Sequence, residues 1–338
     1  MSREALKTLF YPFETDTLSA PEKGTRVLFL GAEPGFRFPE GFDGTVSMVQ
    51  GFRSSFIGLQ SAGHDVKPRA EGEGYDSALV LCGRHRGQNE LRVAEALERV
   101  SVGGLIVVAG SKDDGIASLK KRVASLIEIE DQLPKYHGVA FWFRRPADAA
   151  AIPALKEGND DAIVEGEYLT KPGMFSHDKI DTASRMLVES LPLDVKGAVA
   201  DFCSGWGYLA REAAARWSKI NTLDLYEADY EAVEASRRNL ENLKTPAPNF
   251  HWFDLISEKP AKKYDVILMN PPFHQGRAAE PDIGQAMIGA ASAALKPGGR
   301  LFMVANRRLP YERVLAGVFS SHAEIAGNGA FKVFAAKK

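Results

Sequence analysis

Residues 264–276 read YDVILMNPPFHQG, and residues 75–83 read YDSALVLCG. Each stretch opens with Tyr-Asp and continues as a short apolar run, which is typical of a buried strand. A Gly-Gly pair that leads into another strand-like run follows in both halves, at 103–110 (GGLIVVAG) and 298–306 (GGRLFMVAN). The Tyr-Asp pairs lie 189 positions apart and the Gly-Gly pairs 195. Because a duplication keeps such offsets nearly constant, this spacing favours two copies of one plan.

Helix-like segments alternate with the strands in both halves, which predicts parallel sheets with helices packed on them. A chain of 338 residues is also long enough for two domains. We therefore expect an α/β protein of two tandem Rossmann-like domains. The expected divisions are residues 1–150, a linker at 151–165 that is rich in Ala, Pro and charge, and residues 166–338.

The composition is that of a folded protein, with 45% hydrophobic and 25% charged residues and a formal net charge of −2. The sequence shows no signal-peptide pattern and no apolar run long enough to cross a membrane, so we expect a cytoplasmic protein without a membrane partner. Cys82 and Cys203 have no second Cys or His at metal-ligand spacing. This predicts a reducing compartment and no metal site.

Residues 200–217, ADFCSGWGYLAREAAARW, place Asp201 at a strand end and Gly205 and Gly207 in a turn that leads into a helix. Such a turn lets backbone N–H groups approach a ligand closely. After the next strand-like run stands Glu227, preferred to Asp224 and Asp229 because it ends the run, where an acid can accept the hydroxyls of a ribose.

Asp254 follows in FHWFDLIS (250–257), among apolar side chains suited to an adenine whose amino group the carboxylate would take. The alternative for this residue is an ordinary turn or helix-cap Asp.

The NPPF segment is the most specific motif of the chain. The Asn270 side-chain oxygen and the Pro271 carbonyl can accept hydrogen bonds from an exocyclic amine, while Pro271 and Pro272 stiffen the loop and bring no N–H groups. Phe273 can stack on the ring that carries the amine. The motif therefore predicts a pocket for an amino-bearing planar group.

The first half lacks these groups. Its first strand runs into GAEPGFRFPEG (31–41) without a good helix, and CGRHRGQ (82–88) stands where the second half has NPPFHQG. We expect the first domain to be degenerate and to serve as a support or a binding surface rather than as a second active site.

The motifs DFCSGWG (201–207), YEAD (226–229), FDL (253–255) and NPPFH (270–274) together resemble the class I methyltransferases that use S-adenosylmethionine to methylate amino nitrogens. With KPGMFSHDKIDTASRMLVESL (171–191) and VANRRLPYERVL (304–315), the chain looks like the bacterial 16S ribosomal RNA guanine-N2 methyltransferases from about residue 168 to 335. That family has tandem domains, of which only the second binds the cofactor.

The resemblance implies two sets of site residues. The set implied to bind S-adenosylmethionine comprises Phe175, Asp201, Ser204, Gly205, Gly207, Glu227 and Asp254. The set implied to hold a guanine of 16S ribosomal RNA, free or in the small subunit, comprises Asn270, Pro271, Pro272 and Phe273. Cys203 departs from the family, which usually has Gly there.

The implied reaction is direct methyl transfer to the guanine N2, without a metal or a covalent enzyme intermediate and without a catalytic role for His177 or His274. Three alternatives stay open: a protein-glutamine methyltransferase, a DNA adenine methyltransferase, and a non-catalytic RNA-binding assembly factor. Glutamine methyltransferases usually carry Tyr in place of Phe273, and the duplicated plan argues against them.

Basic residues near the predicted strand ends form a possible rim for RNA phosphates. These residues are Arg277, Arg307, Arg308 and Lys332 in the second half and Arg84, His85 and Arg86 in the first.

Overall fold

The computed structural model describes residues 3–243, 246–272 and 281–338. The chain divides into two compact units, Met1–Asp160 and Asp161–Lys338. The span expected as a linker, 151–165, holds a short helix of the first unit and a short strand of the second. Among the helices of the described residues, none is long and apolar enough to span a bilayer.

The first unit is an α/β unit with one seven-stranded sheet. Its strands are β1 (Arg26–Leu30), β2 (Thr45–Val49), β3 (Val66–Lys67), β4 (Tyr75–Leu81), β5 (Val100–Ser111), β6 (Asp131–Lys135) and β7 (Gly138–Arg144). Its helices are α1 (Glu4–Glu14), α2 (Arg53–Ser61), α3 (Arg86–Arg99), α4 (Ile116–Ala124) and α5 (Ala151–Lys156), with a 3₁₀ turn at Lys112–Asp114.

The second unit begins with a two-stranded ribbon, β8 (Ala162–Val164) and β9 (Tyr168–Thr170), and then builds its own seven-stranded sheet. The sheet strands are β10 (Lys196–Phe202), β11 (Lys219–Glu227), β12 (Pro248–Trp252), β13 (Tyr264–Met269), β14 (Leu295–Asn306), β15 (Ser321–Gly327) and β16 (Phe331–Lys337). Its helices are α6 (Thr182–Glu189), α7 (Tyr208–Arg216), α8 (Tyr230–Asn239), α9 (Pro281–Ala294) and α10 (Glu312–Val318).

The two sheets have the same topology. Their strand orders are β3-β2-β1-β4-β5-β7-β6 and β12-β11-β10-β13-β14-β16-β15. In each sheet the first five strands of this order are parallel, and the last two pair antiparallel. This doubly wound arrangement, found twice, confirms the predicted tandem Rossmann-like domains.

The matching Tyr-Asp pairs have matching roles. Asp76 accepts a hydrogen bond from the Arg26 N–H at the start of β1, and Asp265 accepts one from the Ala198 N–H in β10, each at 2.7 Å. The register also shifts at the same place, between Tyr75 and Ser77 in one sheet and between Tyr264 and Val266 in the other. The duplication therefore extends to individual backbone contacts.

The second sheet is buried on both faces, as parallel sheets are. Successive strand residues point to opposite sides. Val199 packs in the cluster that includes Leu187 of α6 and Leu209 of α7, and Ala200 in the cluster that includes Ile288 of α9. Because both faces of the sheet are apolar, the polar side chains predicted to form the site lie at the strand ends.

Candidate active site

Three of the predicted site residues, Asp201, Glu227 and Asn270, lie at the carboxyl ends of β10, β11 and β13, while Asp254 follows β12 and Phe175 precedes α6. The chain winds outward from β10 through β11 to β12 and then returns to the other side of β10 as β13. Ligands of doubly wound sheets bind in the crevice at such a reversal point. Phe202 of β10 pairs with Met269 of β13, so the turn after β10 and Asn270 leave neighbouring strand ends.

The turn after β10 depends on its glycines. Gly205 and Gly207 have φ angles of 52° and 92°, in the region that L side chains rarely adopt. A Cβ on Gly207 would also lie 2.6 Å from Leu240 Cδ1 and 3.1 Å from Ser236 Cβ, so Gly favours the close packing of the turn against α8. Cys203 adopts a φ of 59° as well. The chain therefore keeps the glycine-like backbone path at Cys203, which leaves that residue strained.

Glu227 connects the glycine turn after β10 with the loop after β11. Its Oε2 accepts a hydrogen bond from the Gly205 N–H at 2.8 Å, and its Oε1 accepts from the Ala228 and Asp229 N–H groups at 2.8 and 2.9 Å. Desolvation raises the pKa of Glu227, although the three N–H donors oppose the shift. The structure thus brings the acid at the end of β11 directly to the glycine turn.

Two buried polar atoms face this turn without hydrogen-bond partners in the described part of the chain: Asp201 Oδ1 and Ser204 Oγ. Asp201 Oδ2 accepts from the Ala210 N–H at 2.9 Å, which ties the end of β10 to α7. Burial raises the pKa of Asp201 well above its ordinary value. Unpaired buried polar groups are costly, so they mark a place where a ligand can supply the missing bonds.

Asn270 has a side chain that is anchored on one end only. Its Nδ2 donates to Asp181 Oδ2 at 3.0 Å and to Ser184 Oγ at 2.8 Å. Its Oδ1 is buried and has no hydrogen-bond partner among residues 3–243, 246–272 and 281–338. The amide is consequently arranged to offer an acceptor, and the role of Asn270 in holding a substrate amine stays a prediction.

The other predicted residues of the substrate loop follow Asn270 directly. Pro271 is buried and Pro272 is exposed. Phe273 lies outside the described residues, so its stacking role stays a prediction. Phe175 is 64% exposed, and its carbonyl accepts a hydrogen bond from Trp206 Nε1 at 3.0 Å. This contact ties the Phe175 loop to the glycine turn.

Asp254 makes the contacts of a turn residue. Its Oδ1 accepts from the Ile256 N–H at 3.2 Å and its Oδ2 from the Ser257 hydroxyl at 2.6 Å. Each carboxylate oxygen keeps a second lone pair for a further donor. The adenine role of Asp254 therefore stays a prediction beside an observed structural one.

Fewer residues of the second unit than predicted are available for a rim that binds RNA phosphates. Lys332 is only 4% exposed and forms an ion pair with Glu312, so its assignment to a phosphate-binding surface was wrong. Arg307 pairs with Glu324 at 2.6 Å, and Arg308 is exposed. Arg277 and His274 lie outside the described residues. In the first unit, Arg86 pairs with Glu90 and Arg84 is exposed.

The corresponding edge of the first unit has a different set of side chains. The strand registers equate Phe29 with Asp201 and Gly31 with Cys203. Gln50 takes the place of Glu227, and its amide bonds to the Ala32 carbonyl and the Phe52 N–H within its own loops. Residues 31–44 contain no helix after β1. The first unit is therefore degenerate at the positions that form the site in the second.

Sequence reasoning missed Asp181, Ser184 and Trp206. Asp181 and Ser184 stand in KIDTAS (179–184), which is readable as a helix N-cap, but nothing local connects it to Asn270, 89 positions later. No group of three or more His, Cys, Asp or Glu side chains suited to a metal occurs within the part of the chain that the structure describes.

Comparisons with known proteins agree with this geometry. The family model described as "Methyltransferase small domain" matches residues 165–335. Ribosomal RNA small subunit methyltransferase C of Escherichia coli K12 is 31% identical over 261 residues, which cover 77% of this chain and 75% of that protein. The protein of the same name from Klebsiella pneumoniae is 29% identical over 274 residues, with the same coverage of both chains.

Among solved structures, a T. thermophilus 16S rRNA N2 methyltransferase in complex with AdoMet and guanosine superposes with a TM-score of 0.80. It is 24% identical, and the match covers 99% of this chain and 92% of that one. The likeness shows that the fold is shared. The 31% identity to the curated Escherichia coli enzyme over 77% of the chain, with the family model that matches residues 165–335, establishes that the chain belongs to the ribosomal RNA small subunit methyltransferase C family.

Proposed function

We propose that the protein transfers a methyl group from S-adenosylmethionine to the exocyclic N2 amine of a guanine in 16S ribosomal RNA of the small subunit. The observation that carries this proposal is the Asn270 amide, which is held by its Nδ2 and presents a buried Oδ1 without a partner among the described residues. An acceptor placed in this way suits a substrate group that donates, such as an amine.

The chemistry requires such an acceptor because the lone pair of a base amine is delocalised into the ring. Hydrogen bonds accepted by Asn270 Oδ1 and by the Pro271 carbonyl favour the amine form whose lone pair points out of the ring plane. Pro271 and Pro272 bring no N–H donors that would compete for these acceptors. The loop thus orients the nucleophile, and a strong base is not needed because the methylated amine is acidic.

The residues at the glycine turn fit the cofactor. The ribose hydroxyls of the cofactor can donate to Glu227, whose carboxylate accepts from the Gly205 N–H. Asp201 Oδ1 and Ser204 Oγ have no hydrogen-bond partner within the described residues and can therefore bond to a ligand. When bound, S-adenosylmethionine supplies a methyl group on a positively charged sulfur. Phe175 is tied to the turn through Trp206 and is exposed enough to cover a ligand there. We further propose Gly207 and Asp254 as members of this site.

The substrate assignment also rests on the family, whose curated members are named as ribosomal RNA small subunit methyltransferases. We propose that the RNA is presented either free or in the assembled small subunit. The proposed chemistry calls for neither a metal ion nor a membrane, and a cytoplasmic location would give access to the substrate.

Tritiated methyl transfer tests the proposal. The full chain is incubated with labelled S-adenosylmethionine and, separately, with small ribosomal subunits, free 16S RNA, peptide release factor and DNA. We expect label in the RNA, released by nuclease digestion as N2-methylguanosine. Label in release factor or DNA, or in another nucleoside of the RNA, would contradict the assignment.

A further inference from the structure

The orientation of the Asn270 amide decides what the site recognises. An amide can flip by 180° about its last torsion with almost no change in shape, but the flip exchanges an acceptor for two donors. In this structure Nδ2 faces Asp181 and Ser184, and Oδ1 is buried. Because an amine donates hydrogen bonds, it finds an acceptor only in the orientation in which Oδ1 faces the target.

The contacts of Asp181 select that orientation. An ionised carboxylate can only accept, so Asp181 Oδ2 bonds to the amide when Nδ2 faces it, at 3.0 Å. In the flipped amide two oxygens would oppose each other at this distance, and a charge-assisted hydrogen bond would be lost. Ser184 Oγ, at 2.8 Å, gives the same NH₂ group a second acceptor.

We propose that Asp181 is a positioning residue that orients Asn270 with its oxygen toward the target, while Ser184 helps to hold the same NH₂ group, and that the site is thereby selective for an amine. The inference rests on the proposed methylation of a guanine amine and extends it to residues outside the NPPF motif.

Asp181 has a second role that the test must separate. Asp181 is the N-cap of α6, and its Oδ2 also accepts a hydrogen bond from the Ser184 N–H at 2.8 Å. Removing the carboxylate altogether would weaken the helix as well as free the amide. Ser is as good an N-cap as Asp, but its hydroxyl is shorter and can donate as well as accept, so Asp181→Ser keeps a cap and loses the orientation.

Three variants of the full chain separate the roles. Ser184→Ala removes the second acceptor and leaves the cap, and Asp181→Ser with Ser184→Ala also replaces the accept-only carboxylate by a shorter hydroxyl. Thr182→Ala is the matched control, since it deletes an exposed hydroxyl in the same helical turn. Two readouts are used: methyl transfer to small subunits, and competition by free guanosine against inosine, which lacks the 2-amino group.

We expect the double variant to lose at least tenfold in kcat, with the Kd for S-adenosylmethionine unchanged within about twofold. The Asn270 hydrogen bond should contribute about tenfold to the preference for guanosine over inosine in the original protein, and the double variant should lose that factor, which leaves only the contribution of the Pro271 carbonyl. Ser184→Ala alone should lie between, and Thr182→Ala should change neither.

Retention of the full guanosine preference in the double variant would overturn the inference, as would equal losses in Thr182→Ala. Should the double variant fail to fold, the single variant Asp181→Ser decides, because it keeps a helix cap and the Ser184 hydroxyl. If the unmodified chain prefers guanosine but methylates no RNA, the proposed function fails, whereas the positioning role is still judged by the nucleoside competition.

Discussion

The substitution Asn270→Asp replaces one NH₂ group by an oxygen and leaves the shape of the side chain unchanged. It would place two carboxylate oxygens about 3.0 Å apart, where Asn270 Nδ2 now donates to Asp181. At an effective dielectric constant of about 20, two full charges at that distance repel by roughly 5 kcal/mol. Like charges this close cannot both ionise, so the repulsion raises the pKa of the new carboxyl and the pair keeps one proton well into the neutral range.

The shared proton restores the contact that the amide made. When the carboxyl at position 270 is protonated, its O–H donates to Asp181 and its other oxygen is left as an acceptor for the target amine. When it is ionised, the donor is lost and repulsion displaces the side chain. Methyl transfer by Asn270→Asp should therefore recover as the pH falls, whereas Asn270→Ala has no group that can recover.

The assay is single-turnover methyl transfer at saturating S-adenosylmethionine from pH 6 to pH 9, expressed as the ratio of each variant to the original protein. For Asn270→Asp the ratio should rise by about tenfold or more toward pH 6, because the repulsion is worth several kcal/mol. For Asn270→Ala it should be flat. The same raised pKa means that Asn270→Asp loses folding stability as the pH rises. A flat ratio for Asn270→Asp would refute the orientation that we assign to the amide.

Further predictions concern the glycine turn and its surroundings. Glu227→Gln should weaken S-adenosylmethionine binding by about tenfold or more in calorimetric titration, since a charged acceptor contributes roughly 1.5–3 kcal/mol, while Glu241→Gln, an exposed charge beyond α8, should not. Burial, reinforced by the charge of Glu227, raises the pKa of Asp229 to about 7. The folded state therefore prefers the protonated form of Asp229, and folding stability is lost as the pH rises from about 4 to 7. Asp229→Asn keeps the N-cap of α8 and should reduce the fall in urea midpoint between pH 5 and pH 8. Cys203→Gly should be more stable than Cys203→Ala by about 1 kcal/mol in urea unfolding, because both lose the contact with Met287 but only Gly relieves the φ of 59°; equal stabilities would show that the backbone is not strained there.

Features written within a few consecutive residues were predictable from the sequence. The paired Tyr-Asp strands, the turn at Gly205 and Gly207 and the NPP segment each follow from local patterns. The apolar period, the φ that only Gly tolerates and the missing N–H of Pro are properties of the residues themselves. Two tandem α/β domains built on one plan followed from these patterns, and the structure confirmed them.

Contacts between distant strand ends were decided only by the tertiary structure. Asp181 reaches Asn270 across 89 positions, Gly205 meets Glu227 across 22, and Lys332 proved to be buried beside Glu312. The order in which strands pair determines which loops share an edge, and no local pattern encodes that order. The sequence alone therefore determined that an amide stands at a strand end. The fold decided which way that amide faces, because its partners, Asp181 and Ser184, come from the start of helix α6.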